Sequence, residues 1–336
     1  MMGTTLESDG ECVRNSVELL RSKSVIVSGG AGFIGSWLCD FLIQGGARVC
    51  CLDNFSTGLK SNVAHLLRNS TFTLMQFDVT RPQLNTPSCD LILHFAGRAA
   101  PDEYQLHPVE TLEVNSFGTQ TLLDLARNNE AQLIYASTSE IYGDAEIVPT
   151  PEDYWGHVNP VGTRSCYDEA KRYGEALCMA YHRAYGVDTR IVRIFNTFGP
   201  RLRADGLYGR ALSRFILQAL ANDDITVYGK GDQTRSFCYV TDTIEAILRM
   251  TARPSMKGQV VNIGNPQEIT ILELAEKIKT LTNSKSKITF HPIPPDDPKR
   301  RCPDITKAKT MLQWTPRISL EEGLKRTIQW FESKQK

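Results

Sequence analysis

The chain has 336 residues, 41% of them hydrophobic and 23% charged, a composition typical of a globular protein with room for two domains. Lysine plus arginine and aspartate plus glutamate each number 38, so the charge favours neither nucleic acid nor an anionic membrane as a partner. No apolar run approaches the ~18 residues that a membrane-spanning helix needs.

The nine cysteines are scattered without C-x-x-C spacing, and a chain of this length needs no disulfide scaffold. We therefore expect reduced thiols and a cytoplasmic protein. The six histidines do not cluster at the spacing of metal ligands, so we expect no metal site. Residues 1–22 are polar, lack an apolar signal core and are predicted to form a tail.

A strand, a glycine-rich turn and a helix open the folded part of the chain. Residues 24–28 are rich in β-branched side chains, and a helical pattern follows the glycines. Gly29 permits a tight turn, Gly32 lets the backbone approach a pyrophosphate, and Gly35 lets helix and strand pack closely. The free N–H groups of such a helix terminus favour phosphate. The predicted cofactor contacts here are Gly29, Gly32, Phe33, Ile34 and Gly35.

An acidic residue ends the second predicted strand. Residues 48–52 form that strand, and Asp53 follows 24 residues after Gly29, close to the position expected for a ribose contact. A carboxylate there would repel a 2′-phosphate, so NAD is preferred to NADP. The alternative is that Asp53 and Asn54 merely turn the chain at the end of the strand; both are candidate cofactor contacts.

Two further strands end at candidate cofactor contacts. Residues 72–77 lead to a pair expected beside the adenine. Residues 91–97 are almost wholly apolar, as in a strand covered on both faces, and end where a doubly wound sheet binds its ligand. A long helix is predicted over residues 108–127. The cofactor contacts expected from these elements are Asp78, Val79, Phe95, Ala96, Gly97 and Asn115.

Hydroxyl and carboxylate groups follow the fifth strand, predicted over residues 133–137. Thr138, Ser139 and Glu140 stand at its carboxyl end, which is typical of a site. The alternative is a helix cap, where serine and threonine are common.

A tyrosine and a lysine four residues apart begin the next helix, predicted over residues 167–185. Tyr167 and Lys171 lie on one helix face, so the ammonium can lower the pKa of the phenol and make it a usable base. On their own they would more often be an ordinary surface pair. The redox cofactor expected from the first half favours the catalytic interpretation.

Strands that alternate with helices predict an α/β protein with a doubly wound parallel sheet of the Rossmann type. The glycine turn, followed by Tyr-x-x-x-Lys after the fifth strand, resembles the short-chain dehydrogenase/reductase superfamily. The length resembles its extended branch of nucleotide-sugar epimerases, dehydratases and decarboxylases, which adds a smaller, mixed α/β C-terminal substrate domain. The resemblance covers residues 23–333. It implies a NAD-binding domain of residues 23–199 and about 236–263, and a nucleotide-sugar-binding domain of residues 200–235 and 264–333.

The resemblance also implies substrate contacts in the second half. The stretch after the sixth strand reaches the sugar and diphosphate in the extended branch, which makes Asn196 a candidate donor. Residues 226–237 resemble a nucleotide-binding hairpin, in which Arg235 would hold the diphosphate and Tyr228 would pack near the nucleoside. Without the resemblance they are a glycine-held hairpin with exposed charges. Arg210, at the start of the next predicted helix, is a further candidate.

Three separated stretches resemble the UDP-glucuronate decarboxylases, also called UDP-xylose synthases. They are residues 138–140, residues 164–172 and the loop from residue 296 onwards. By composition that loop is solvated and forms no regular element, but the arginine matching Arg301 sits at the sugar in these enzymes. Ser139 stands where dehydratases carry an aspartate, and it cannot replace that acid. The candidate catalytic residues are Tyr167, Lys171, Thr138, Ser139, Glu140 and Arg301. Tyr167 and Lys171 are also expected to contact the cofactor, and Arg301 the substrate.

The resemblance implies NAD as cofactor, a UDP-sugar as substrate, and conversion of UDP-glucuronate to UDP-xylose through a 4-keto intermediate with internal recycling of the cofactor. Two enzymatic alternatives are a UDP-glucuronate 4-epimerase and an enzyme that releases the 4-keto-pentose. A dinucleotide-sensing regulator is a third, less favoured because Tyr167 and Lys171 are both present.

Two further expectations follow from the resemblance. Decarboxylases usually carry a Ser/Pro-rich loop after the fourth strand, whereas this chain has Arg98 there. That cation near the nicotinamide and sugar leaves open which sugar binds and whether the ketone is always reduced back. The extended branch commonly dimerises through two long helices, so a homodimer through residues 108–127 and 167–185 is expected.

Overall fold

The computed structural model describes residue 18 and residues 20–81, 86–203, 211–293 and 297–335. The strands, numbered along the chain, are β1 (Ser24–Ser28), β2 (Arg48–Asp53), β3 (Phe72–Gln76), β4 (Leu91–His94), β5 (Gln132–Thr138), β6 (Thr189–Ile194), β7 (Thr197–Phe198), β8 (Ile225–Tyr228), β9 (Thr234–Ser236), β10 (Cys238–Tyr239), β11 (Val260–Ile263), β12 (Glu268–Thr270), β13 (Ile288–His291) and β14 (Arg300–Arg301). The helices are α1 (Phe33–Gln44), α2 (Pro101–Leu106), α3 (Pro108–Asn115), α4 (Phe117–Asn128), α5 (Ser165–Tyr185), α6 (Ala211–Ala221), α7 (Val240–Ala252), α8 (Ile271–Leu281) and α9 (Leu320–Gln335).

The main sheet has seven strands in the order β3-β2-β1-β4-β5-β6-β11, and every neighbouring pair is parallel. The chain reverses its direction of travel across the sheet between β1 and β4. In such sheets ligands bind outside the carboxyl ends of the strands at that switch point. The predicted doubly wound α/β fold is confirmed.

Both faces of this sheet are buried because its central strands are apolar at successive positions. Val25 and Val27 belong to a core that includes α1 and α7, whereas Ile26 belongs to a second core with α4 and α5. Successive residues of a strand point to opposite faces, so one apolar run is covered by helices on both sides.

Helix α5 lies unusually close to the sheet. A Cβ atom on Gly174 would lie 2.1 Å from the hydroxyl of Tyr135 on β5, so the helix can approach this closely only with glycine there. The approach brings the Lys171 ammonium, one turn earlier on α5, within 2.8 Å of the Ala136 carbonyl oxygen. The packing of helix on strand therefore positions a candidate catalytic residue.

The single long helix predicted over residues 108–127 is wrong, because the chain forms α3 and α4 with a break at Ser116. The backbone there has φ −104° and ψ −81°, outside the helical region. The Ser116 hydroxyl donates to the Leu112 carbonyl oxygen at 2.7 Å, and serine bonding of this kind competes with the helix backbone. In the part of the chain that the structure describes, no helix is long and apolar enough to cross a membrane.

The second half is built from small sheets rather than from the predicted hairpin. Strand β8 pairs with β13, whereas β9 pairs with β12 and β14, so residues 226–237 do not fold back on themselves. Gly229 and Gly231 both have positive φ and turn the chain between the two sheets. The expectation that the late proline-rich loop forms no regular element is also wrong, since β14 lies within it and pairs with β9.

Candidate active site

A cleft of about 180 Å³ lies at the carboxyl ends of β1, β2, β3 and β4, where the sheet topology places a ligand. Most residues predicted to bind the cofactor line it: Gly29, Gly32, Asp53, Asn54, Asp78, Val79, Phe95, Ala96 and Gly97. Phe33, Ile34 and Gly35 form the first turn of α1 beside it.

The glycine turn fits a pyrophosphate. Gly29 has φ +71°, and a Cβ atom there would lie 2.6 Å from the backbone of Ala96. Gly32 caps α1 without any side-chain hydrogen bond, so no side chain occupies the first N–H groups of the helix. Those N–H groups and the helix dipole favour an anion. Gly35 instead serves packing, since its Cβ atom would lie 2.1 Å from the Gly29 carbonyl oxygen.

Asp53 presents a buried carboxylate to the cleft. Its two oxygens accept the backbone N–H groups of Ala31 at 2.9 Å and Phe55 at 2.8 Å. Burial raises the pKa of Asp53, and these two hydrogen bonds oppose that rise. Each carboxylate oxygen keeps capacity for a second donor, so ribose hydroxyls fit where a 2′-phosphate would be repelled.

Two other predicted cofactor contacts, Asp78 and Asn115, differ in their hydrogen-bond partners within the protein. Asp78 accepts from the Asn54 amide at 3.1 Å, and this pair borders the cleft beyond Asp53. Asn115 is fully buried behind the cleft. Its amide nitrogen donates to the Thr111 carbonyl oxygen at 2.9 Å, and its amide oxygen accepts from Tyr135 at 3.1 Å. Asn115 thus supports the wall near Gly97.

Lys171 lies beside Gly97, which lines this cleft, and Tyr167 lies next to Lys171, although neither side chain is among the lining residues. The Lys171 nitrogen lies 6.0 Å from the centre of the Tyr167 ring and would lie 3.7 Å from a Cβ atom on Gly97. Burial of the ammonium lowers the pKa of Lys171 to about 8. A cation held this close to a phenol stabilises the phenolate. Tyr167 can therefore act as a base in its phenolate form and as an acid in its phenol form.

A second tyrosine, which the sequence did not single out, covers Tyr167. The rings of Tyr104, on α2, and Tyr167 are stacked with centres 4.9 Å apart and planes inclined by 3°. Tyr104 is fully buried, and its hydroxyl has no hydrogen-bond partner among the described residues. No local sequence pattern distinguishes it, because the stack joins residues 63 positions apart.

A second, wider cleft of about 730 Å³ is lined by Arg164 and Asp168, which flank Tyr167 in the chain. Glu140 lies in it between two arginines: Arg301 donates to one carboxylate oxygen at 3.0 Å, and Arg164 pairs with the other. Arg164 also lies 3.9 Å from Asp168. Sequence reasoning chose Glu140 and Arg301 but missed Arg164, which only its spacing of one turn before Tyr167 could have indicated.

Arg235 joins this cluster from β9. It donates to Asp297 at 2.9 Å, and burial lowers the pKa of its guanidinium to about 10. Asp297 lines the wider cleft together with Arg301. The described residues contain no group of three histidine, cysteine or acidic side chains able to hold a metal ion. Two arginines, Arg164 and Arg301, line this cleft.

The remaining candidates lie around these clefts. Thr138 accepts from the backbone N–H of Glu140 at 3.2 Å, and Ser139 is buried in the same turn. Asn196 donates to the Ser236 carbonyl oxygen at 3.2 Å and so braces β9. Tyr228 lies under the Arg214 guanidinium, 4.8 Å from its ring centre. Arg210 lies outside the described residues.

The chain is similar to known proteins over most of its length. Residues 26–327 match the family model described as GDP-mannose 4,6 dehydratase. UDP-glucuronic acid decarboxylase 1 of Danio rerio is 49% identical over 309 residues, which is 92% of this chain and 72% of the relative. UDP-glucuronic acid decarboxylase 5 of Arabidopsis thaliana is 46% identical over 316 residues, which is 93% of this chain and 90% of the relative. The chain belongs to the UDP-glucuronic acid decarboxylases.

The decarboxylases share their fold with other nucleotide-sugar enzymes. A solved UDP-glucuronic acid 4-epimerase from Bacillus cereus, in complex with UDP-glucuronic acid and NAD, is 29% identical with a TM-score of 0.83. The match covers 93% of this chain and 99% of that chain. The family expected from three separated stretches is therefore confirmed by the relatives, while the fold alone is common to epimerases as well.

The buried lysine of this decarboxylase predicts an alkaline limit to activity. Below pH ~8 Lys171 carries its charge and supports the phenolate; as the pH rises through about 8 the ammonium loses its proton and the support is lost. We expect kcat/KM to fall with an apparent pKa near 8. The residual activity of Lys171→Met should lack this limb, and a wild-type kcat/KM that stays flat well above pH 8 would contradict the prediction.

Proposed function

We propose that this chain catalyses NAD-dependent decarboxylation of UDP-glucuronate to UDP-xylose through a 4-keto intermediate. One observation carries the proposal: Lys171 lies beside Gly97 of a cleft that suits a dinucleotide, while Arg164 and Asp168, which flank Tyr167 in the chain, line a cleft whose carboxylate, Glu140, is held by two arginines. The decarboxylases to which the chain is 46–49% identical support the same assignment.

The glycine turn and Asp53 would hold NAD, with its nicotinamide toward Gly97 and Tyr167. Bound NAD supplies an acceptor for hydride from C4 of the sugar and later returns it. Tyr167, as phenolate, takes the proton of the C4 hydroxyl, and Thr138 steadies that hydroxyl. Lys171 donates to the neutral Ala136 carbonyl rather than to a carboxylate, so its positive charge is not neutralised there and acts on the phenol.

The arginine cluster suits the carbon dioxide step. The C4 ketone lies β to the C5 carboxylate, so carbon dioxide leaves with its bonding electrons delocalised into an enolate. Fixed cations near developing negative charge lower such a barrier, and Arg301 and Arg164 are held in place by Glu140. Glu140 and Arg301 would position the ring and manage the proton that returns to C5. Arg235 would hold the diphosphate once Asp297 releases it.

The test is to incubate the protein with NAD and UDP-glucuronate and to follow carbon dioxide and the sugar product by NMR. We expect carbon dioxide and UDP-xylose in equal amounts. A sugar acid inverted at C4, with no carbon dioxide, would favour the 4-epimerase instead.

The role of Tyr167 is tested separately with Tyr167→Phe, which removes the hydroxyl but keeps the ring that stacks on Tyr104. We expect turnover to fall by at least about a thousandfold, since the general base is lost, while the Kd for NAD changes little. Turnover within about tenfold of wild type would show that another group takes the proton.

We also propose a homodimer through residues 108–127 and 167–185, now α3, α4 and α5. Large apolar side chains on these helices are exposed, including Leu112, Phe117, Tyr173 and Tyr185. Apolar surface of this kind marks interaction sites, and a second copy presents the same helices. The cysteines other than Cys12 are free thiols, which supports the proposal of a cytoplasmic location.

The dimer predicts that Phe117→Glu sediments as a monomer, because it places a charge in the proposed contact. Phe290→Glu is the matched control: that side chain is equally exposed, on β13, and its substitution should leave sedimentation unchanged. A wild-type protein that is monomeric at micromolar concentration would refute the homodimer.

A further inference from the structure

We propose that Arg98, Glu103 and Arg203 form a polar strap across the mouth of the dinucleotide cleft, and that this strap retains the cofactor so that the 4-keto intermediate is reduced rather than lost. The proposal rests on the proposed function, because it takes that cleft to be the site of NAD. The sequence alone left the effect of Arg98 open. The proposal gives Arg98 a partner, Glu103, and a role in retaining the cofactor.

The strap is a continuous chain of contacts. Arg98 donates to Glu103 at 2.6 Å, and the other oxygen of Glu103 lies 3.5 Å from Arg203. Arg203 in turn donates to the Thr57 carbonyl oxygen at 3.1 Å. One carboxylate therefore joins two guanidinium groups that come from distant parts of the chain.

The strap runs over the glycine turn. Thr57 and Arg98 both line the cleft, and they follow β2 and β4 respectively. Strand β1 lies between β2 and β4 in the sheet, and its glycine turn forms the floor of the cleft between them. The contacts from Arg98 to Thr57 therefore connect residues that lie on the two sides of the glycine turn.

The middle of the strap is held firmly. Glu103 lies on α2, and its neighbour Tyr104 is buried and stacked on Tyr167. The Cys166 thiol also donates to the Tyr104 carbonyl oxygen at 3.4 Å. Because α2 is anchored to α5 at this point, Glu103 is held next to Arg98 before any ligand arrives, so forming the strap costs little ordering.

The charged groups of the strap are partly buried, so solvent and salt weaken their attraction less than at an exposed surface. The side chains of Arg98 and Glu103 are only 14% and 26% exposed. Arg203 is 33% exposed, so the three groups are screened less than an isolated surface pair and act as a network. Because the Arg98 guanidinium pairs with Glu103, Arg98 acts on the cofactor through Glu103 and is a positioning residue.

Retention of the cofactor determines the product. Oxidation at C4 moves a hydride from the sugar to NAD, and the loss of carbon dioxide leaves a 4-keto-pentose on UDP. If the reduced cofactor stays in the cleft, a ketone that dissociates can rebind, take the hydride back and become UDP-xylose. If the reduced cofactor leaves, the ketone accumulates and a fresh molecule of NAD is consumed for each ketone released.

The experiment compares Glu103→Gln and Arg98→Gln with wild type. We measure the dissociation rate of NAD from the holoenzyme by dilution into excess labelled NAD, and the ratio of UDP-4-keto-pentose to UDP-xylose by NMR. Each substitution removes the central ion pair. We expect NAD to dissociate roughly three- to tenfold faster, the ketone fraction to rise, and the double variant to add little, because both substitutions break one link. Salt should accelerate NAD release from wild type more than from either variant.

The matched control is Glu321→Gln. Glu321 also bridges two cations, Lys277 at 3.4 Å and Lys325 at 2.9 Å, but lies on α9 away from the cleft, so its NAD dissociation should equal that of wild type. Unchanged dissociation in folded Glu103→Gln and Arg98→Gln, checked by circular dichroism, would overturn the strap. If Glu103→Gln fails to fold, Arg98→Gln and the salt dependence of NAD release from wild type still test whether the strap retains the cofactor. The measurement of NAD dissociation needs no turnover. A protein that released no carbon dioxide would therefore contradict the proposed function and leave the test of the strap intact.

Discussion

The structure depends on one buried charge. The Lys171 ammonium is almost fully removed from water and is satisfied by a neutral carbonyl, that of Ala136, at 2.8 Å. A carboxylate partner would have fixed the positive charge and absorbed its field. A carbonyl leaves that field free to act on the neighbouring phenol, and the cost of burial appears as a pKa lowered to about 8.

A hydrogen-bonded network behind Lys171 keeps it in this position. Glu175, one turn later on α5, accepts from the Ser137 hydroxyl at 2.5 Å and from Arg193 on β6. Arg193 also donates to the Tyr142 hydroxyl at 2.8 Å. Helix α5 is thus fixed to β5 and β6 by buried polar groups, and Gly174 allows the close approach that these bonds require. Such fully satisfied networks make a site rigid.

The two clefts take their roles from their position relative to this pair. The narrow cleft has a glycine floor, a helix terminus and the buried Asp53 carboxylate, which suits a dinucleotide. The wide cleft has Arg164, Arg235 and Arg301 around Glu140 and Asp297, which suits a sugar carboxylate and a diphosphate. Under the proposed function, C4 would lose its hydride to the cofactor and its proton to Tyr167, and carbon dioxide would depart beside the arginines.

Local pattern was sufficient for the sheet and for the cofactor cleft. Residues 24–28 and Gly29 to Gly35 specify strand, turn and helix within a dozen positions, and the structure has β1 and α1 there. Pattern failed where distant residues decide. Ser116 breaks a helix through a hydroxyl–carbonyl bond, and β9 takes β12 and β14 as partners instead of β8.

The contacts of Tyr104 and Arg164 could not be predicted from local pattern either, because their partners are distant in sequence. Tyr104 on α2 stacks on Tyr167 of α5, and Arg164 pairs with Glu140. The roles of the individual site residues and the division into two domains stay predictions.

The most direct test of this account is a titration of the Tyr167 phenol in the holoenzyme, by the ultraviolet difference between wild type and Tyr167→Phe. Burial raises the pKa of Tyr104 and of Tyr135, so neither should interfere at moderate pH. The account predicts that Tyr167 ionises well below the usual pKa of about 10, and that Lys171→Met moves it back upward. Ionisation near 10 in both proteins would contradict it.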